Sequence, residues 1–107
     1  DDMRDAPSLD ILPALQKAGA TIRAYDPASM EEAAKHLSDI QFCDGPYHAI
    51  EGADAMVIIT EWDQFRALDM KRVQDLLKTN TVIDLRNIYS KPDMEKRGFN
   101  YVSIGRP

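Results

Sequence analysis

Two hydrophobic rhythms alternate along this chain. Short apolar runs of strand length recur at 21–26 ("TIRAYD"), 40–43 ("IQFC"), 55–60 ("AMVIIT"), 81–86 ("TVIDLR") and 101–105 ("YVSIG"). They carry the β-branched and aromatic residues that suit a pleated surface. "AMVIIT" is apolar on both faces, as a strand covered by helices on two sides must be.

The segments between these runs follow helical spacing. Pro7 and Ser8 precede Leu9, Leu12 and Leu15, and Gly19 supplies a natural stop. Pro13 inside this segment cannot donate to the carbonyl of Leu9, so a kink or an irregular first turn is expected. Ser29 and Glu32 have capping-box spacing, with Met30, Ala33, Ala34 and Leu37 on one face behind them. Pro46 to Glu51 predicts a short helix stopped by Gly52. Asp69 predicts the cap of a helix whose inner face is Met70, Val73, Leu76 and Leu77. Ser90 to Arg97 predicts a last helix, ended by Gly98.

Strand and helix in alternation predict an α/β fold. The expected form is an open, mostly parallel sheet with helices on both faces, a Rossmann-like three-layer arrangement with right-handed crossovers. A chain of 107 residues suffices for one domain with one core. No repeat, low-complexity segment or internal boundary divides 1–107.

Charge narrows the function. The net charge of −5 argues against non-specific binding to nucleic acid or to an anionic membrane, both of which need a basic face. It leaves room for a small anionic ligand held by one or two local arginines. The apolar run "AMVII" is too short to cross a bilayer. The single cysteine, Cys43, excludes an internal disulfide and suits a reducing, cytoplasmic setting. At a strand end it reads as a small buried hydrophobe rather than a nucleophile. His36 and His48 have no zinc-site spacing, so no metal is expected. No G-x-G-x-x-G follows a strand, no P-loop is present, and no catalytic Ser/His/Asp set can be read. The chain opens on "DDMRDAP" without a Met and reads as a piece of a longer protein.

In open α/β sheets, ligands bind beyond the carboxyl ends of the strands. That rule selects "YDP" after 21–26, "TEWDQF" after 55–60 and "RN" after 81–86. It adds the opening "DDMRDAP", which precedes the first helix. Arg86 can offer a planar fork of donors to a phosphate, or it can pair with Asp84 or Glu61 at the sheet edge. Glu61, at the rim, can accept from a ligand hydroxyl or balance Arg86. Trp62 and Phe65 are spaced to share one side of a helical turn, where they read as core covering the sheet edge. Arg4 sits among acids and reads on its own as part of a solvated terminus. Asp84 is expected to steady the turn or pair with a nearby donor, and Asn87 to bond the turn backbone.

Taken together, "DDMRDAPSLDILPALQKAGATIRAYDP", "GADAMVIITEWDQF", "VIDLRNIY" and "GFNYVSIGRP" resemble the C-terminal, UDP-binding domain of the UDP-glucose/GDP-mannose dehydrogenase family, over the whole of 1–107. The resemblance implies that a separate NAD-binding Rossmann domain and a central helical, dimer-forming domain lie outside this chain. It implies oxidation of UDP-glucose to UDP-glucuronate in two NAD-dependent steps through a cysteine thiohemiacetal. That cysteine belongs to the central region, so no catalytic residue is expected here, and Cys43 does not match it. The TEW-type motif favours UDP-glucose over GDP-mannose or UDP-N-acetyl-mannosamine. By this resemblance Arg86 contacts the UDP-sugar and Arg4 reaches the NAD, while a substrate-binding Lys would lie before Asp1. A homodimer or higher homo-oligomer is implied. The family's usual Gly between Asp84 and Arg86 is Leu85 here, which suggests ordinary strand geometry at that point.

Two further readings compete. A receiver-like signalling module would use the acidic pair Asp1 and Asp2, Thr60, Lys91 and, as phosphoacceptor, Asp44. A purely structural α/β domain would bind nothing.

Overall fold

The computed structural model describes residues 8–26, 31, 34, 35, 37–60 and 63–103. They form helix α1 (Ser8–Lys17), strands β1 (Ile22–Ala24) and β2 (Ile40–Phe42), helix α2 (Pro46–Ile50) and strand β3 (Ala55–Ile58). Helices α3 (Asp63–Arg66) and α4 (Met70–Leu76), strand β4 (Thr81–Asp84), helix α5 (Lys91–Lys96) and strand β5 (Asn100–Ser103) follow. The expected α/β class is observed, and every strand pairing among the described residues is parallel. The chain divides into two compact units, residues 1–49 and 50–107.

In the first unit β1 pairs with β2, Ile22 opposite Ile40 and Ala24 opposite Phe42. Cys43 extends the ladder by donating its N–H to the Ala24 carbonyl at 2.8 Å. Its thiol is free and its side chain is buried. Leu12, Ile22 and Leu37 are buried as well. Helix α1 continues through Pro13, which is exposed. It ends as expected at Gly19, whose φ of 102° a residue with a Cβ adopts only under strain. The N–H groups of Gly19 and Ala20 return to the carbonyls of Gln16 and Leu15, both at 2.9 Å, closing a Schellman cap. Gln16 Nε2 then donates to the Ser38 carbonyl at 2.7 Å, tying the helix to the approach of β2. Of the helix expected after Ser29, Glu31, Ala34 and Lys35 are helical, while Ser29, Met30, Glu32 and Ala33 lie outside the described residues.

The second unit is a three-stranded sheet in the order β3-β4-β5, with β4 in the centre. Its three registers align: Met56 opposite Val82 opposite Tyr101, and Ile58 opposite Asp84 opposite Ser103. In a parallel pair such partners point the same way, so one face carries Met56, Ile58, Val82, Asp84 and Tyr101, all buried. Asp69 caps α4 as predicted, its Oδ1 accepting from Lys71 N at 3.0 Å and Arg72 N at 3.3 Å. Met70 and Val73 of α4, and Leu77 after it, are buried. Ser90 caps α5, Pro92 lies in its first turn, and Met94 is its buried residue. Gly98, at φ 96°, closes a second Schellman cap, with Phe99 N donating to the Met94 carbonyl at 3.0 Å. Met94 and Phe99 are both buried, the apolar contact pair that accompanies such caps.

Candidate functional site

The carboxyl ends of β3, β4 and β5 leave the three-stranded sheet at one edge, because Ile58, Asp84 and Ser103 stand in one register row. The loops that carry chemistry in such folds start there. Strand β4 stops at Asp84, although the apolar pattern runs on to Leu85. Leu85 still donates to the Ile58 carbonyl at 2.9 Å, continuing the ladder by one bond. The next N–H groups turn inward to the Asp84 side chain.

Asp84 is 0% exposed. Its Oδ1 accepts the main-chain N–H of Arg86 at 3.0 Å. Its Oδ2 accepts the N–H groups of Ile88 at 2.9 Å and Tyr89 at 3.1 Å, and the hydroxyl of Tyr101 at 2.6 Å. Burying a carboxyl group costs several kcal/mol unless its oxygens are bonded, roughly 2–7 kcal/mol for even a neutral polar group left unpaired. Here four donors bond the two oxygens, one at Oδ1 and three at Oδ2. The chain can aim three N–H groups at one side chain because Asn87 takes a left-handed conformation, φ 55°. Asn is among the residues that tolerate this region. Leu85 is outside it, but it belongs to the turn rather than to the strand expected there, because β4 ends at Asp84.

Two tyrosines tie this turn to the rest of the unit. Tyr101, on β5, has the Tyr89 carbonyl as a second acceptor at 3.1 Å. The Tyr89 hydroxyl donates to the Phe65 carbonyl in α3, so the turn after β4 is joined to the helix after β3. Phe65 itself is half-buried. Neither tyrosine stands out by composition or periodicity. The signal that could have found them is the buried acid, which must be supplied with donors, and both sit in the motifs that flank it.

Of the residues predicted to bind ligand, Arg86 is exposed, on the turn held by Asp84. Its contact with Asp84 runs through its main-chain N–H. Glu61, Trp62 and Arg4 lie outside the described residues, as does the opening "DDMRDAP". Tyr25 and Asp26 follow the carboxyl end of β1 in the first unit and are half-buried. Thr60 follows β3, also half-buried. At the end of β5, the Oγ of Ser103 is buried and has no hydrogen-bond partner among the described residues. Among the described residues, no helix is long and apolar enough to cross a membrane.

Parallel strands whose carboxyl ends share one edge, joined by helices, define an α/β class of domain, and comparison with known proteins specifies it. Residues 1–91 match the model of the UDP-binding domain of the UDP-glucose/GDP-mannose dehydrogenase family, and the chain belongs to that family. It is 51% identical to a UDP-glucose 6-dehydrogenase of Rhizobium meliloti, over 100% of this chain and 24% of the relative. It is 42% identical to a UDP-glucose 6-dehydrogenase of Pseudomonas aeruginosa, over 100% of this chain and 25% of the relative. The chain thus spans about a quarter of the length of these curated relatives, and it corresponds to their C-terminal region. Among solved structures it resembles the NDP-N-acetyl-D-galactosaminuronic acid dehydrogenase of Methanosarcina mazei, with a TM-score of 0.82 and 27% identity. That match covers 99% of this chain and 22% of the other. The family match leaves the receiver-like reading without support.

Proposed function

We propose that residues 1–107 form the C-terminal UDP-sugar-binding domain of an NAD-dependent UDP-glucose 6-dehydrogenase, which oxidises UDP-glucose to UDP-glucuronate in two steps. The observation that carries this reading is the placement of Arg86. It is an exposed guanidinium at the carboxyl edge of a parallel sheet, on a turn fixed by a buried acid. A nucleotide diphosphate is an anion, and an acidic chain must hold it with local cations. Arg86 suits the task because its planar fork matches phosphate oxygens two at a time. Glu61 is the proposed acceptor for a ligand hydroxyl at the rim.

NAD, where bound, accepts the hydride. No G-x-G-x-x-G turn follows a strand in this chain, so its own residues do not make a dinucleotide site. NAD is assigned to a separate domain, with Arg4 as this chain's contribution, and the catalytic thiol is assigned elsewhere too. This chain's part is to bind and orient the UDP-sugar. The relatives named as UDP-glucose 6-dehydrogenases support UDP-glucose as the sugar nucleotide. The whole enzyme is proposed to be cytoplasmic and a homodimer or higher homo-oligomer.

The test is a titration of the 107-residue chain with UDP, followed by amide chemical shifts. Weak binding with shifts concentrated on residues 84–89 is expected, together with no reduction of NAD by the chain alone. Shifts elsewhere only, or none at saturating UDP, would favour a structural domain. Reduction of NAD by the purified chain would overturn the proposed division of labour.

A further inference from the structure

The structure assigns Asp84 the role of a positioning residue for the nucleotide site: its buried carboxyl group sets the direction in which Arg86 leaves the sheet. This inference rests on Arg86 being the group that meets the diphosphate.

The geometry separates the two oxygens of Asp84. Oδ1 serves one donor, the N–H of Arg86 at 3.0 Å. Oδ2 serves the far side of the turn, Ile88 N and Tyr89 N, and the Tyr101 hydroxyl on the neighbouring strand. The carboxyl group therefore spans the turn from before Asn87 to after it. It fixes the left-handed step at Asn87 between two anchored peptides. The Cα–Cβ direction of Arg86 is set by the peptide whose N–H is bonded to Oδ1. The same carboxyl is braced from two other elements. Tyr101 holds it from β5, and Tyr89, bonded to it through its own N–H, holds the Phe65 carbonyl of α3 through its hydroxyl. Asp84 acts on the ligand through Arg86 and touches no ligand itself.

Asparagine separates the positioning role from a structural one. Asp84→Asn keeps size and shape and keeps one acceptor oxygen. The three donors at the Oδ2 position claim that oxygen. The amide NH₂ then faces the Arg86 N–H, donor against donor, and the Arg86 bond is lost while the others persist.

The experiment is a double-mutant cycle on the full-length dehydrogenase proposed above, with UDP as the probe and its Kd read by calorimetry. Asp84→Asn is expected to weaken UDP binding about fivefold to tenfold, and Arg86→Ala about tenfold or more, the range for loss of a charge-assisted contact. The double variant should bind UDP no more weakly than Arg86→Ala alone, because a residue that acts through another adds nothing once that other is gone. A merely structural role would give effects that multiply. Should Asp84→Asn not fold, Tyr101→Phe takes its place in the cycle, with a smaller loss and the same non-additivity. Arg86→Ala with unchanged UDP affinity would overturn the Arg86 assignment itself. Weakened binding in Arg86→Ala beside unchanged or multiplicative effects at Asp84 would overturn the positioning role alone.

Discussion

The hydroxyl of Tyr101 donates to Asp84 Oδ2 across 2.6 Å, from one strand to the next inside the buried face of the sheet. It is one of four donors that converge on a side chain with no exposure. Each buried donor left without an acceptor costs about 1–3 kcal/mol, so Asp84→Ala is expected to lose about 4 kcal/mol or more. Tyr101→Phe removes the hydroxyl shared by Asp84 Oδ2 and the Tyr89 carbonyl and should lose about 1–3 kcal/mol. Urea unfolding followed by far-UV dichroism measures both. An Asp84→Ala chain within about 1 kcal/mol of the parent would mean that the four donors find other partners.

Gly98 is a second position where one atom decides stability. It closes α5 with φ 96°, and a Cβ built there meets nothing nearer than Gln74 Nε2 at 3.8 Å, an ordinary contact. The penalty for alanine is therefore conformational rather than steric, about 1–2 kcal/mol for a residue with a Cβ in the left-handed half of the map. Gly98→Ala should lower the free energy of unfolding by that amount, read from the shift of the urea midpoint. A neutral result would show that the cap relaxes to negative φ without losing the Phe99–Met94 bond.

Ser103 gives the opposite expectation. Its Oγ is buried at the end of β5 and has no partner among the described residues, a hydroxyl desolvated without a bond in return. Ser103→Ala should be neutral or stabilising, by up to about 1 kcal/mol. Thermal melts of the two chains decide it. A clear loss would reveal a hydrogen bond to the hydroxyl.

These positions also mark how far the sequence could be read. The strands were legible because each is a short apolar run whose neighbours are caps and glycines. Asp69, Ser90, Gly19, Gly52 and Gly98 sit where local rules put them. Pro13 shows where a local rule yields. The helix continues through it, since an exposed proline forfeits one backbone bond without burying a polar group. At the candidate site, the polar trio of Asp84, Arg86 and Asn87 was visible as an interruption of an apolar run. What the sequence could not supply was the division of labour. Asp84 spends both oxygens on the turn and on Tyr101, a residue on a different strand, and such a long-range bond has no sequence period to betray it. The tie between Tyr89 and Phe65 is hidden for the same reason.

Arg86 provides the functional prediction. It is exposed, so its replacement should change stability by about 0.5 kcal/mol or less, the usual range for surface positions. In the full-length enzyme Arg86→Ala is expected to raise the KM for the UDP-sugar by tenfold or more, if one charge-assisted pair contributes about 1.5–3 kcal/mol. Arg86→Lys keeps the charge and loses the fork, so its KM should fall between the two. The ordering Arg, Lys, Ala is the informative result. A lysine variant equal to the parent would mean that charge suffices and the paired geometry is idle. An alanine variant with the parent's KM would remove Arg86 from the binding site. Steady-state kinetics with the sugar nucleotide varied, beside thermal melts of the same three proteins, measures each outcome.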